Sequence, residues 1–434
     1  MLEHSDYHGI LTGLTAPHLR NGGMLALVVA TACASAPPAS PPPPTASATS
    51  CDIVSPSANA PDTIRIALTD PVILGRAEGP VNFSEALLGA HLYESLVRLD
   101  CTGALQPGLA VAWLRENERW SFRVRSDALL WDGAPLTAAM VVSAWPLPRD
   151  EWQPTVSGDG RVTVRVPDGS SLDALAQPRV AIRIGAAGGG IPMGSGPYSI
   201  AGLSPDGILV APAGGSRSPV LAFRRVAGAD LRDVLDGGVD MLVTDVPAVA
   251  DYAAGLPGFD VVALPWDRTH VFASSAWVSG TALADERVAL ARDVVPAAAR
   301  PADPAEWPSA VAECKALAPD SGRAAEPDSS LHILYDRDDP VGRSLAERIV
   351  ALSADRRVIG LGVSHEDLLA RLDDGGDRGY LVAVPRRLAD PCTVQTLERV
   401  GAVPLIDVRR TLIVRRGIAH IAVDVFGIPT VRPR

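Results

Sequence analysis

Apolar and polar positions follow one of two spacings over most of the chain, and the first half is dominated by alternation. Residues 63–68 (Thr-Ile-Arg-Ile-Ala-Leu) alternate and are rich in β-branched side chains, which predicts a strand. The same pattern predicts strands at 94–100, 120–125, 162–166, 180–184, 208–210 and 220–223. In 120–125 it places Trp120, Phe122 and Val124 on one face. Helical spacing interrupts twice, at 84–92 with Ser84 as the expected cap, and at 134–144, which opens on Pro135 and Thr137. From residue 230 onward helices and strands take turns. Helices are expected at 230–235, 246–253, 342–353 and 365–372, the last capped by Ser364. Strands are expected at 240–243, 260–264, 331–335, 357–362 and 380–384. Such β-α-β order favours a partly parallel sheet covered by helices, an α/β fold. Residues 296–330, rich in Ala, Pro and Asp, have the weakest pattern, and no internal repeat is visible.

The first sixty residues read as an address and a tether. The apolar run from Met24 to Cys33 holds about nine apolar residues, against the roughly twenty a membrane span requires. Arg20 precedes it and the small pair Thr31-Ala32 leads into Cys33, a signal peptide over 1–32 ending in a lipobox-like site. Cys33 is then the expected lipidation site, with an ordinary signal peptide as the rival reading. Residues 1–23 form no standard leader, which makes Met24 a candidate start. Residues 33–60 are rich in Pro, Ala and Ser, a composition that stays extended and acts as a spacer. Four further cysteines, Cys51, Cys101, Cys314 and Cys392, suit two disulfides in an exported chain, and three pairings are open. Cys51–Cys101 with Cys314–Cys392 is preferred, because each bond then ties segments of one probable lobe. A loop of about 50 residues closed in this way would gain roughly 4 kcal/mol in the chain-entropy account. A metal site is the rival use of these cysteines, but no CxxC spacing supports it, and the HxxxH spacing of His4 and His8 falls in the leader.

Composition narrows the function. The 434 residues are 47% hydrophobic and 21% charged, which suits packed globular domains, and length alone suggests two to four of them. A net charge of −11 argues against a nucleic-acid partner. Lys315 is the single lysine, so a GK[ST] phosphate loop is excluded. The chain has no GxSxG elbow, no HExxH and no dinucleotide fingerprint, and Gly188-Gly-Gly190 is followed by no clear helix. His91, His270, His332, His365 and His420 stand singly along the body. No enzyme activity and no cofactor are expected.

Several ordered segments resemble one family. Leu92 to Trp113, with Tyr93-Glu-Ser-Leu-Val97 and Pro107-Gly-Leu-Ala110, is similar to the opening signature of the extracytoplasmic solute-binding proteins of family 5, the peptide-, nickel- and glycoside-binding lipoproteins of ABC importers. Trp120 to Val142, Met193-Gly-Ser-Gly-Pro-Tyr198, Asp236-Gly-Gly-Val-Asp240 and Asp390-Pro391 continue the resemblance in order. It implies a two-lobed periplasmic-binding-protein-like fold (type II, cluster C-like) with mixed sheets and a small extra subdomain. Lobe I would comprise 61–98, 185–272 and 408–434, the subdomain 99–184, and lobe II, shortened for this family, 273–407. A small peptide or similar solute would sit between the lobes, which close by a hinge. The partners implied are ABC permease subunits and, through the lipid anchor, the outer face of the cytoplasmic membrane.

The resemblance also implies site residues. A carboxylate at Asp390 would face the α-ammonium of a peptide, although the tryptophan that the family places just before this Asp-Pro is absent. Ser195 and Gly196 lie in the glycine turn expected near the hinge. Trp266 and Trp277 flank the passage into the second lobe, and Asn82 and Phe83 follow the first strand. Asp132-Gly133 reads as a plain turn, and Trp113, Trp120 and Trp131 as core. The missing tryptophan and the short second lobe leave an alternative: a degenerate copy of the fold acting as an envelope interaction or regulatory lipoprotein.

Overall fold

The computed structural model describes residues 51–54, 61–76, 79–167, 171–185, 190–215, 218–273, 287–294, 298–302, 331–353, 358–374, 378–386 and 402–432. Cys33, Trp277, Cys314, Asp390 and Cys392 lie outside them, as do the leader and the spacer up to residue 50.

A mixed sheet of ten strands in continuous order, with an eleventh, Ala299–Pro301, pairing off that path with Val403–Arg415, organises the molecule. Its middle is a pair of long antiparallel strands, Phe259–Ala273 and Val403–Arg415, here called the crossing strands. On one side the order continues from Val403–Arg415 through Met241–Thr244, Thr63–Leu68, Val220–Arg225 and Gly207–Pro212 to Tyr198–Ser204. On the other it runs from Phe259–Ala273 through Arg378–Pro385 and Leu331–Asp336 to Val358–Val363. Thr63–Leu68 is parallel to both its neighbours, and so is Leu331–Asp336. The parallel, helix-covered sheet expected from the element order is therefore present on both sides of the crossing.

The helices cover the sheet because their apolar stripes have nowhere else to go. Helix Phe83–Leu92 buries Leu87, Leu88 and Leu92 against Ile64, Ile66, Tyr198 and Phe223. Helix Pro340–Leu352 buries Val341, Leu345 and Ile349 beside Ile333, Phe272 and Ile406 on one face of the far sheet. Helix His365–Asp374 sets Leu368 and Leu372 against Leu334, Tyr380 and Val382 on the other. A separate four-stranded sheet, Ala110–Glu116, Arg119–Val124, Val162–Arg165 and Thr155–Val156, has its own core around Phe122, Val162, Val164, Trp145 and Trp152.

A disulfide joins Cys51 to Cys101, as the preferred pairing expects. It links strand Asp52–Val54, which pairs with His420–Val423 of the C-terminal hairpin, to the turn after strand Val97–Leu99.

Several expectations are corrected. Asn82, rather than Ser84, caps the first helix, accepting the Glu85 N–H at 2.9 Å. Ser84 lies one residue inside and bonds Asp70 instead, its hydroxyl donating to the carboxylate at 2.9 Å. Residues 180–184 form no strand, because Pro178 starts a 3-10 turn over Pro178–Val180 and only isolated bridges from Ile182 and Ile184 follow. The strand expected over 94–100 shrinks to Val97–Leu99. Glu94 leaves it to hold Arg125 through two hydrogen bonds of 3.0 and 2.8 Å. Trp113, Trp120 and Trp131 are only half-buried, flanking the cores that Trp145 and Trp152 enter. Asp132-Gly133 is the plain turn expected, with the Ala134 N–H on the Asp132 carboxylate at 2.9 Å and Gly133 at φ 83°.

Candidate functional site

The crossing strands change register where the two sides of the sheet meet. Residues 259–263 pair with 411–415, 268–270 with 406–408, and 271–272 with 403–404; the pairing slips on either side of Trp266 and again after His270. Pro265 has no N–H to give the ladder, and the irregularity re-aims the side chains that follow. Trp266, Asp267 and Arg268 are thereby turned into a cleft of about 520 Å³, a volume that suits a small molecule.

Several separate segments contribute to the lining. The start of the first helix supplies Asn82, Phe83 and Ala86, and the 3-10 turn supplies Gln177 to Arg179. Residues 382–386, at the end of strand Arg378–Pro385, form the opposite wall with His365 and Leu369. Val425, Phe426 and Ile428 of the C-terminal hairpin close the base, and Arg410 comes from the second crossing strand.

The charges around the crossing form linked clusters. Asp267 pairs with Arg410 and lies 3.4 Å from Arg268, which reaches Asp245 at 3.3 Å. Asp407 is fully buried and accepts from the Thr269 hydroxyl at 2.7 Å and from Arg300 Nε at 2.9 Å, and it pairs with Arg386. So many partners are what a buried carboxylate requires, since an unpaired one would cost several kcal/mol. The His270 imidazole meets Asp339 at 2.7 Å; although burial pushes this carboxyl up, His270 and Arg268 hold it well below the usual carboxylate range. Arg300 and Arg409 both stand over the Trp266 ring, their guanidinium carbons 5.0 and 4.5 Å from its centre. Arg410 lies 4.3 Å over the Phe83 ring, linking the first helix to the crossing strand.

Of the residues singled out in the sequence, Asn82, Phe83 and Trp266 line the cleft. The Asn82 amide is already committed, Oδ1 to the helix cap and Nδ2 to the Pro71 carbonyl at 2.8 Å. Ser195 and Gly196 do not line it. They pack on the end of the first helix, where the Gly196 N–H bonds the Leu92 carbonyl at 3.0 Å. A Cβ on Gly196 would stand 2.5 Å from Leu92 backbone, so glycine is required there by close approach. The sequence reading missed Arg179, Asp267, Arg268, Arg386 and Arg410. Arginine pairs at 386–387 and 409–410 are two of five such pairs in the chain, and spacing alone does not show that Arg386 and Arg410 converge.

No protein-family model matches the chain. Over 65 residues it is 42% identical to the periplasmic oligopeptide-binding protein OppA of Haemophilus influenzae, a stretch covering 14% of this chain and 12% of that relative. Solved structures match far more of it. The periplasmic binding protein AgaA of A. tumefaciens R10, in complex with agropinic acid, superposes with a TM-score of 0.62 at 13% identity, covering 86% of this chain and 99% of AgaA. NikA of Brucella suis, in complex with Fe(III)-EDTA, gives 0.63 at 15% identity, covering 86% and 100%. A dipeptide-binding protein of Pseudoalteromonas sp. SM9913, in complex with Met-Leu, gives 0.64 at 12% identity over the same shares. At these identities the likeness is one of fold: the chain has the two-sided α/β architecture of periplasmic binding proteins, in agreement with the resemblance read from its motifs.

Proposed function

We propose that this protein, built on the fold of the solute-binding proteins, is an extracytoplasmic receptor that captures a small solute, an oligopeptide or a molecule of similar size, and delivers it to an ABC importer. One observation carries the reading: the cleft of about 520 Å³ opens where both crossing strands break register, and is walled by residues from both sides of the sheet. A guest held there touches both halves at once, so its binding energy favours the closed arrangement over the open one.

The rest of the proposal follows from the sequence. Lipidation at Cys33 would anchor the chain to the outer face of the cytoplasmic membrane, and the proline-rich spacer would hold the body clear of the bilayer. Permease subunits would be the macromolecular partner. The named ligands of the matched structures, a dipeptide, an opine and a metal chelate, support a solute of this size without selecting among them.

Thermal denaturation of the purified protein with fractionated small-solute mixtures tests the reading. A true ligand at about a hundred times its dissociation constant stabilises by about 2.7 kcal/mol. A reproducible, saturable rise in melting temperature is expected with at least one fraction. An unchanged melting temperature across peptide, amino-acid and organic-acid fractions counts against a receptor.

A further inference from the structure

Taking the receptor reading as its basis, we infer that the solute is an anion, a small molecule bearing carboxylate or phosphate groups bound by guanidiniums at the crossing of the two long strands. Four guanidiniums line the cleft, those of Arg179, Arg268, Arg386 and Arg410, against one carboxylate, that of Asp267. His365 adds an imidazole whose Nδ1 meets Asp336 at 3.0 Å.

Two of the acidic partners stand behind this surface. Asp407, which holds Arg386, is fully buried and does not line the cleft. Asp245, which holds Arg268, also lies outside the lining. Of the other carboxylates near the crossing, Asp339 is taken by His270 and Asp70 by Ser84. Asp407 and Asp245 therefore fix Arg386 and Arg268 from the rear, while guanidiniums outnumber carboxylates in the lining itself. A guanidinium has five N–H groups in a planar fork, and one ion pair uses one or two of them. The remainder are fixed in direction, which is the preorganisation that bidentate recognition of a carboxylate or phosphate needs.

Two features sharpen the inference. Arg268 and Arg410 share the single carboxylate of Asp267. Burial and the like charge of Arg268 both push the Arg410 pKa down, and an anion in the cleft would relieve that repulsion. Across the cleft, Arg179 is exposed, hydrogen-bonds Gln177 at 2.6 Å, and has no carboxylate partner among the described residues. It is placed to close on an anion already held at the crossing.

The test uses the purified full chain and the low-molecular-weight fraction of yeast extract, split on an anion exchanger into retained and unretained pools. The retained pool is expected to raise the melting temperature, the unretained pool to leave it unchanged, and 0.5 M sodium chloride to weaken the response. Arg179→Gln should leave the unliganded melting temperature in place and raise the half-saturating amount of the retained pool at least threefold. Alkaline phosphatase treatment of that pool separates the two chemistries: a surviving shift identifies carboxylate, a lost one phosphate, and both support an anion. Equal or greater stabilisation by the unretained pool overturns the anion while leaving the receptor standing. A response to the retained pool that is undiminished in Arg179→Gln overturns the assignment to this cleft. Silence from both pools removes the receptor reading itself, and the inference with it.

Discussion

The His91 ring is closed to water on every side. Its Nε2 accepts the Val431 N–H at 3.0 Å, so Nδ1 carries the proton and donates to the Leu87 carbonyl at 2.8 Å. Tyr198 and Phe223 meet it edge-on, 5.7 and 5.6 Å between ring centres. Burial lowers its pKa to about 4, outweighing the Leu87 bond. An unfolded chain takes up this proton below about pH 6.5 and the folded one only below about 4, so the folded state loses stability as pH falls between those values. The full effect of such a shift is about 3 kcal/mol. Asp424, in the hairpin that also carries Val431, works in the opposite sense. Burial pushes its carboxyl up to about 7 against two backbone N–H bonds, so its contribution is present below the ordinary carboxylate pKa and is lost as pH rises toward 7. The two slopes oppose each other in the wild type. Asp424→Asn, which keeps an acceptor for both N–H groups, should expose the His91 slope: urea midpoints between pH 6.5 and 4 should fall more steeply than in the wild type. Parallel profiles would refute this assignment. A lone histidine in the sequence reads as packing, and here it is; the pairing with Val431, 340 residues away, carries no sequence signal.

Among the elements, those with strong local chemistry were legible and those set by distant partners were not. Strand Thr63–Leu68 and the helices Pro340–Leu352 and His365–Asp374 lie close to where their spacing places them. Ser364 caps the last of these, accepting the Asp367 N–H at 3.2 Å. Strands Ala110–Glu116 and Tyr198–Ser204 gave little signal, because most of their side chains remain exposed or half-exposed and so need not alternate. The glycine turn at 194–196 was legible as a motif, but its reason is steric. Gly194 and Gly196 let the chain press on the Leu92 backbone, and a Cβ on Gly194 would lie 2.1 Å from the Leu92 carbonyl oxygen. Gly196→Ala must shift that contact, and is expected to lower stability by roughly 1–3 kcal/mol without touching the cleft. Chemical denaturation measures the loss, and ligand affinity should be unchanged once the variant is folded. A stability within about 0.5 kcal/mol of the wild type would refute the close approach.

At the level of the molecule, the crossing strands join the two sides of one sheet, and the proposed receptor function makes them the hinge. The ladder is interrupted on either side of Trp266 and again between His270 and Val271, so bending along this stretch breaks few hydrogen bonds. The paired charges around it are short-range contacts that can persist through a small rotation. With a ligand bound, small-angle scattering should show a smaller radius of gyration than the unliganded protein, since contact with both walls draws them together. An unchanged radius under saturating ligand would mean that the guest enters a fixed pocket and that the register break is no hinge.

What the sequence determined by itself is local or ordered along the chain: the alternation that makes strands, the Ser364 cap, the glycine turns, and the succession of motifs that pointed to a two-lobed fold. These follow from interactions among near neighbours or from spacing that survives in one dimension. The cleft was decided by tertiary structure. Arg179, Asp267, Arg386 and Arg410 come from four separate segments, and only the meeting of the crossing strands with the first helix and the far sheet sets them around one space. Charge acts through distance in space, and that distance is fixed only once the chain has folded.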